Sequence, residues 1–293
     1  MKTQFRSSFL CALALCLMHA LGDQVAAQDP APPKILSIFI EEVKPGRGAA
    51  HERVEAGYPR AFKEAKASPY IAMTSLTGRS EAWFVVAFDS YEAWEKENRA
   101  IEKNSKLIAA LARLDEQDAP FRTNQRTIVA RYREDLSYNA GVNIGQMRYF
   151  QIITFRVRPG HVRSFEEARR ISKGHHEKAK VDEHYAVFQV DSGMPSGTFM
   201  MFIPRKSLKE MDSDPHTKAY QDAVGDDGRR KLDKMSSEDV LSVESTIFAF
   251  SPSMSYPAEA LVNADPAFWN PKPQPRRVVV KKPDQAKSPS TNQ

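Results

Sequence analysis

Histidines come first among the residues whose type and spacing could do chemistry. Gly174-His175-His176-Glu177 falls late in a stretch of helical period, where a neutral imidazole could ligate a metal or act as a base near neutral pH. Adjacent helix positions point about 100° apart, so His175 and His176 cannot serve one metal ion as an i, i+4 pair does. The plainer reading is one half-buried, hydrogen-bonded histidine beside one exposed histidine. His184, with Asp182 and Glu183 before it, either completes a cluster or belongs to a polar turn. Tyr70 in Pro69-Tyr70-Ile71 and Tyr185 in His184-Tyr185-Ala186 are either ligand contacts or rim residues with hydrogen-bonded hydroxyls. Gln151 shares a strand face with Ile153 and Phe155, opposite Thr154 and Arg156, and can orient a ligand or pair with neighbouring backbone. None of these residues forms a known catalytic signature, so no catalytic residue and no metal-ligand set is assigned. A Gly-rich phosphate loop, a nucleophile elbow and a zinc-protease helix motif are all missing.

Cysteine chemistry is excluded by position. Lys2 and Arg6 precede an apolar run from Phe9 to Leu21, and Val25-Ala26-Ala27 supplies the small residues of a signal-peptidase site. The run is too short for a membrane anchor, so residues 1–27 read as an export signal and the destination as periplasmic or secreted. Cys11 and Cys16 both lie inside that segment and neither follows the small residues a lipoprotein needs, so the exported chain carries no disulfide. At the other end, residues 270–293 are rich in Pro, Lys and Arg and too polar to order themselves. Their six basic residues against Asp284 account for the formal net charge of +5. The sequence pI of about 9.1 is thus a property of this tail, not of a basic fold, and no nucleic-acid partner is expected.

The elements that must position the candidates come as a repeat. Val43-Lys44-Pro45-Gly46-Arg47 and Val157-Arg158-Pro159-Gly160-His161 each close an apolar run, 114 residues apart. Tyr70 and Tyr185 follow at a separation of 115, and the tags Leu136-Ser137-Tyr138 and Met254-Ser255-Tyr256 at 118. Each copy reads strand, helix, strand, strand, helix, strand. In the second copy the strands fall at 149–157, 184–191 and 197–204, with a helix at about 161–180 whose stripe is Val162, Phe165, Ala168, Ser172 and Ala179. Asp89 with Glu92, and Ser207 with Glu210, have capping-box spacing at the second helix of each copy. That helix carries Trp94, Ile101 and Ile108 in the first copy, and is interrupted at Asp214-Pro215 and Gly225-Gly228 in the second.

This order is the ferredoxin-like βαββαβ unit. The division is a linker at 28–34, a first unit at 35–138, a linker at 139–148, a second unit at 149–256 and a segment at 257–269 in which Trp269 and Phe268 dock the tail. The fold class is therefore α+β: two tandem units pairing sheet to sheet as an intramolecular α/β barrel, with a disordered C-terminal tail. Strand order and the Val-(Lys/Arg)-Pro-Gly turn resemble the dimeric α/β-barrel superfamily, which includes NIPSNAP-like proteins, antibiotic-biosynthesis-type monooxygenases and haem-handling relatives. The resemblance implies ligand cavities between sheet and helices, and a monomeric pseudo-dimer with a higher oligomer left open. The leading expectation is a protein that binds a small hydrophobic ligand or a partner, with no dedicated cofactor. The alternative is an oxidative enzyme, either a cofactor-free monooxygenase or a haem-dependent one using a histidine of the second copy. A third reading, an envelope-associated protein working through its basic tail, rests on the charge split alone.

Overall fold

Strands rich in Ile, Val, Phe and Met are apolar on both faces and need cover on both, and the chain provides it by closing them into a barrel. The computed structural model describes residues 31–212 and 218–270. The expected export signal, the expected interruption at Asp214-Pro215 and residues 271–293 of the tail lie outside them. The first half runs β1 (Ile35–Val43), α1 (Gly48–Glu55), α2 (Tyr58–Ala65), β2 (Tyr70–Ser75), β3 (Glu81–Phe88), α3 (Tyr91–Lys103), α4 (Ser105–Asp118) and β4 (Arg122–Tyr132). The second runs β5 (Tyr149–Val157), α5 (Val162–Ala179), β6 (Ala186–Ser192), β7 (Thr198–Arg205), α6 (Lys218–Lys234) and β8 (Val240–Phe250), followed by α7 (Glu259–Ala264) and α8 (Pro266–Trp269). The eight strands close in the order β1-β3-β2-β8-β5-β7-β6-β4, every pairing antiparallel, which leaves no open edge.

Alternation divides the side chains into two layers. Inward residues such as Ile38, Ile40, Met73, Trp83, Ile128, Ile152, Met200, Phe202 and Phe248 fill the barrel. Outward residues form separate cores against the helices: Val43, Tyr70, Ala72, Ala82 and Phe84 in the first half, and Phe155, Val157, Phe165, Tyr185, Phe199 and Met201 in the second.

The halves share fine detail. Register slips by one residue between Glu42 and Val43 against β4, and between Arg156 and Val157 against β8. Gly46 and Gly160 turn at φ 74° and 84°, as the Pro-Gly turns require. Lys66 and Lys180, equivalent residues at a spacing of 114, end α2 and α5 in the left-handed conformation, and the backbone N–H groups that follow bond back into the helix. The two tags cross over. Tyr138 pairs with Tyr185 of the second half, and Tyr256 pairs with Tyr70 of the first. Ser137 Oγ accepts from Val187 N and Ser255 Oγ from Ala72 N, both at 2.8 Å. Leu136 is packed into the second half's outer core and Met254 into the first's.

The helices depart from expectation where local chemistry intervenes. One continuous helix is expected after each Pro-Gly turn, and α5 is continuous, but the first half breaks into α1 and α2. Pro59 has no N–H to offer the Glu55 carbonyl, so the ladder stops there and restarts from Gly57. Asn104 splits α3 from α4 and caps the latter, its side chain accepting from Leu107 N at 3.0 Å. Ser90, not Asp89, caps α3. α6 kinks at Gly225, within the stretch expected to interrupt it.

Candidate functional site

Where the barrel mouth meets the 140–145 connection and α7, the walls enclose a cavity of about 400 Å³. Its lining is apolar and drawn from both halves, including Leu36, Met73 and Val85 from the first and Phe150, Phe188 and Phe202 from the second. Gly145 lets the connection approach α7, since a Cβ there would lie 2.7 Å from that of Ala264. Trp269 holds this cover down, buried against Phe250 with its Nε1–H donating to the Gly145 carbonyl at 2.8 Å.

Of the sequence candidates, Tyr70 and Tyr185 reach the rim of this cavity, one from each half. Their rings lie in the two sheet-helix layers, and both hydroxyls are buried with no hydrogen-bond partner, in place of the hydrogen-bonded hydroxyls expected. Burial holds the Tyr70 phenol far above its usual range, with Glu55 adding to the shift. Burial raises Tyr185 to about 12, and Arg169, whose guanidinium stands 5.7 Å from the ring, moderates the rise.

The other four candidates do not converge. His176 faces inward from α5, but its Nδ1–H donates to the Ser172 carbonyl at 2.8 Å and its Nε2 lies 3.3 Å from Glu183. It packs edge-on to Tyr185 at 5.6 Å, as Phe62 packs on Tyr70 at 5.2 Å, so its ring occupies an aromatic packing position. His175 lies over Gly228 of α6, and burial lowers its pKa. His184 is turned away, its Nδ1 2.8 Å from the Asn139 carbonyl oxygen, while Glu183 is taken by His176 and Arg205. His184 Nε2 stands 3.7 Å from Asp182 Oδ1 at the surface, so the three residues split between two places, Asp182 with His184 and Glu183 with His176. Gln151 sits on the outward face and reaches Ser245 Oγ at 3.2 Å.

The most concentrated polar chemistry among the described residues is one the sequence candidates missed. In the sheet-helix layer of the first half, Glu41 on β1, His51 and Glu55 one turn apart on α1, and Asp118 at the end of α4 meet with their ligating atoms within 4.8 Å of one another. They are 1%, 2%, 3% and 0% exposed. His51 Nδ1 is 2.8 Å from Asp118 Oδ1, and its Nε2 is 3.6 Å from Glu41 Oε2. Arg122, at the start of β4, bonds Glu41 and Asp115. Burial pushes Glu55 up to about 9, with the charges of Glu41 and Asp118 adding to it, and burial also raises Glu41. Two signals point to this cluster: the i, i+4 spacing of His51 and Glu55, and the repeat alignment that places His51 opposite Phe165.

No protein-family model matches the chain, and no curated protein matches it. Solved structures do. An anthrone oxidase-like protein superposes with a TM-score of 0.50 at 11% identity, covering 75% of this chain and 92% of its own. The Fusobacterium nucleatum protein named "putative monooxygenase" superposes at 0.49 and 10% identity, covering 75% and 93%. A heme-binding protein of Thermus thermophilus superposes at 0.41 and 9% identity, covering 76% and 94%. The fold is that of the dimeric α/β barrel. Two expectations are corrected here, the non-enzymatic binding protein and the absence of any dedicated cofactor: the solved proteins of this fold carry oxidase, monooxygenase and haem-binding names. No described histidine is placed as an axial haem ligand at this cavity. An axial histidine must face a cavity, whereas no described histidine lines this one and His176 has both ring nitrogens engaged. Among the described residues no helix is long and apolar enough to cross a membrane.

Proposed function

We propose that this protein is an oxidoreductase that takes a small apolar molecule into the cavity at the barrel mouth and oxidises it with dioxygen. The observation that carries the reading is the cavity: about 400 Å³, walled by apolar side chains of both halves, a size and character suited to one small ring system. Tyr70 and Tyr185 are the sequence candidates we assign to ligand contact, because they alone of the six reach its rim. The likeness in fold to an anthrone oxidase-like protein makes anthrone the natural first probe.

The test is oxygen uptake by the full chain with anthrone, together with the product's absorbance. Uptake above the uncatalysed rate is expected, falling at least tenfold in Ala186→Trp, which fills the cavity, and unchanged in His184→Gln, which lies outside it. No uptake, or uptake that survives Ala186→Trp in a folded protein, rejects the reading.

We further read the halves as two copies of one unit, at 35–138 and 149–256, within a monomer of NIPSNAP-like kind. The shared bulges, the paired left-handed lysines and the crossed tags support this. We assign export on the pattern of residues 1–27. Intact mass of the native protein tests it, with a mature chain beginning near Gln28 expected.

A further inference from the structure

We infer that the buried cluster of the first half is a binding site for one divalent transition-metal ion, of the kind that accepts mixed imidazole and carboxylate ligands, with His51 Nε2, Glu41 Oε2 and Glu55 Oε1 as its ligands. This site stands apart from the cavity and from the oxidative reading.

Four atoms carry the inference. Glu41 Oε2, His51 Nε2, Glu55 Oε1 and Asp118 Oδ2 are all buried and have no hydrogen-bond partner. Leaving one buried polar atom unsatisfied costs roughly 1–3 kcal/mol, and more where it is charged. Asp118 Oδ2 has Arg122 Nη1 at 3.6 Å, and the other three, gathered in one place, point to a further occupant. The histidine tautomer identifies what kind. Asp118 is 2.8 Å from Nδ1 and, as a carboxylate, accepts the Nδ1 proton; in the neutral imidazole this leaves a lone pair on Nε2. That lone pair faces Glu41 Oε2 at 3.6 Å. Two acceptors facing each other in a dry site call for a cation between them. The carboxylate on the far ring nitrogen is also the arrangement that orients metal-bound histidines.

The set is built rather than incidental. His51 and Glu55 share one face of α1 because they are four residues apart, and Glu41 projects toward that face from β1. Arg122 binds the other oxygen of Glu41, Oε1, and so fixes the carboxylate with Oε2 presented to His51. One nitrogen and two or three oxygens suit Zn²⁺ or Mn²⁺ better than Mg²⁺ or Ca²⁺, which prefer oxygen alone. In the second half Phe155 and Phe165 stand where Glu41 and His51 do, and the polar group among the described residues there is a different one, His161 Nδ1 at 2.8 Å and Ser164 Oγ at 2.7 Å from Asp239.

The test is metal content and affinity of the full chain, stripped with a chelator and then given Zn²⁺ or Mn²⁺ both when folded and during refolding, since the site is closed to solvent. One ion per chain is expected, with affinity at least tenfold weaker in Glu55→Gln and in Glu41→Gln and unchanged in His184→Gln. Because a cluster variant can fail to fold, the wild type is also followed by histidine ¹⁵N NMR, where stoichiometric Zn²⁺ is expected to shift the Nε2 signal of a single buried histidine. No bound ion under either loading regime, affinity unmoved by both glutamine variants, or shifts spread over the exposed histidines overturns the inference. In the first of these cases the cluster holds protons instead.

Discussion

The two sheet-helix layers of this barrel share a backbone and differ in chemistry. In the first, Glu41, His51, Glu55 and Arg122 lie against one another; in the second, the residues at the same places along the repeat are Phe155, Phe165, Arg169 and Val240. Phe165 packs between Phe155 at 5.5 Å and Phe199 at 4.9 Å, an ordinary apolar core. The fold therefore does not need the charges. Desolvating each ion costs several kcal/mol, which good partners repay only in part, so the first half keeps an expensive arrangement that the second half shows to be dispensable for folding. What it keeps is best explained by use.

The largest effects should come from breaking each layer in its own way. Asp118→Ala removes the acceptor of the His51 proton and is expected to destabilise by about 3–5 kcal/mol, and Phe165→Ala by a similar ~3–5 kcal/mol through the cavity it leaves. The remedy separates the two. Replacing the cluster with apolar groups, as Glu41→Leu, His51→Phe, Glu55→Leu and Asp118→Leu together, with Arg122 still paired to Asp115, is expected to return stability to within about 1 kcal/mol of wild type or above it in urea unfolding. A quadruple variant as unstable as Asp118→Ala would make the cluster structural and dissolve the comparison. Where the halves are alike, effects should be alike. Leu136→Ala and Met254→Ala, each removing a fully buried tag residue from the other half's core, are each expected to cost roughly 2–5 kcal/mol. A loss confined to one of them would show that the crossed tags are not equivalent.

The equivalent tyrosines sharpen the contrast by charge. Tyr70 has Glu55 in its surroundings, where Tyr185 has Arg169. Tyr185 should ionise first, near pH 12 against about 10 for a free phenol, in a titration followed at 295 nm, and Tyr185→Phe should remove that step. The sign follows from the raised value. The folded state holds the proton more tightly than the unfolded state does, so the stability is fully present below about pH 10 and lost as pH rises toward 12. The loss amounts to roughly 2–3 kcal/mol. If Tyr70 titrates before Tyr185, the charge environments have been assigned to the wrong halves.

Most of the barrel was legible in the sequence because both halves carry a Val-(Lys/Arg)-Pro-Gly turn after their first strand. The strand expected at 149–157 is β5, and the Pro-Gly turns fall where Gly46 and Gly160 take positive φ. The breaks at Pro59 and Asn104 were not foreseen, since the apolar stripe continues through both and only the missing N–H and the side-chain cap interrupt it. The site was legible in a more instructive way. A spacing of 114 sets His176 opposite Phe62, and both rings pack on the equivalent tyrosines. The same comparison run the other way sets His51 opposite Phe165 and Glu41 opposite Phe155. What no alignment supplies is Asp118, which the α4 terminus brings to His51 across 67 residues of chain.

The smallest expected effect tests whether the halves are copies in their backbone as well as their order. Lys66 at φ 53° and Lys180 at φ 50° occupy a conformation in which a side chain costs about 1 kcal/mol relative to glycine, and both close the same kind of helix end. Part of that gain is returned through the greater freedom glycine gives the unfolded chain, so Lys66→Gly and Lys180→Gly should each stabilise by only ~0.5 kcal/mol. The informative quantity is the difference between them. Their bonding is the same, Lys66 N–H to the Lys63 carbonyl and Lys180 N–H to the Glu177 carbonyl, so the two shifts in urea midpoint should agree. Unequal shifts would mean that α5, unbroken over 18 residues, and α2, only 8 residues long, respond differently to the same local relief. The likeness of the halves would then stop at their turns.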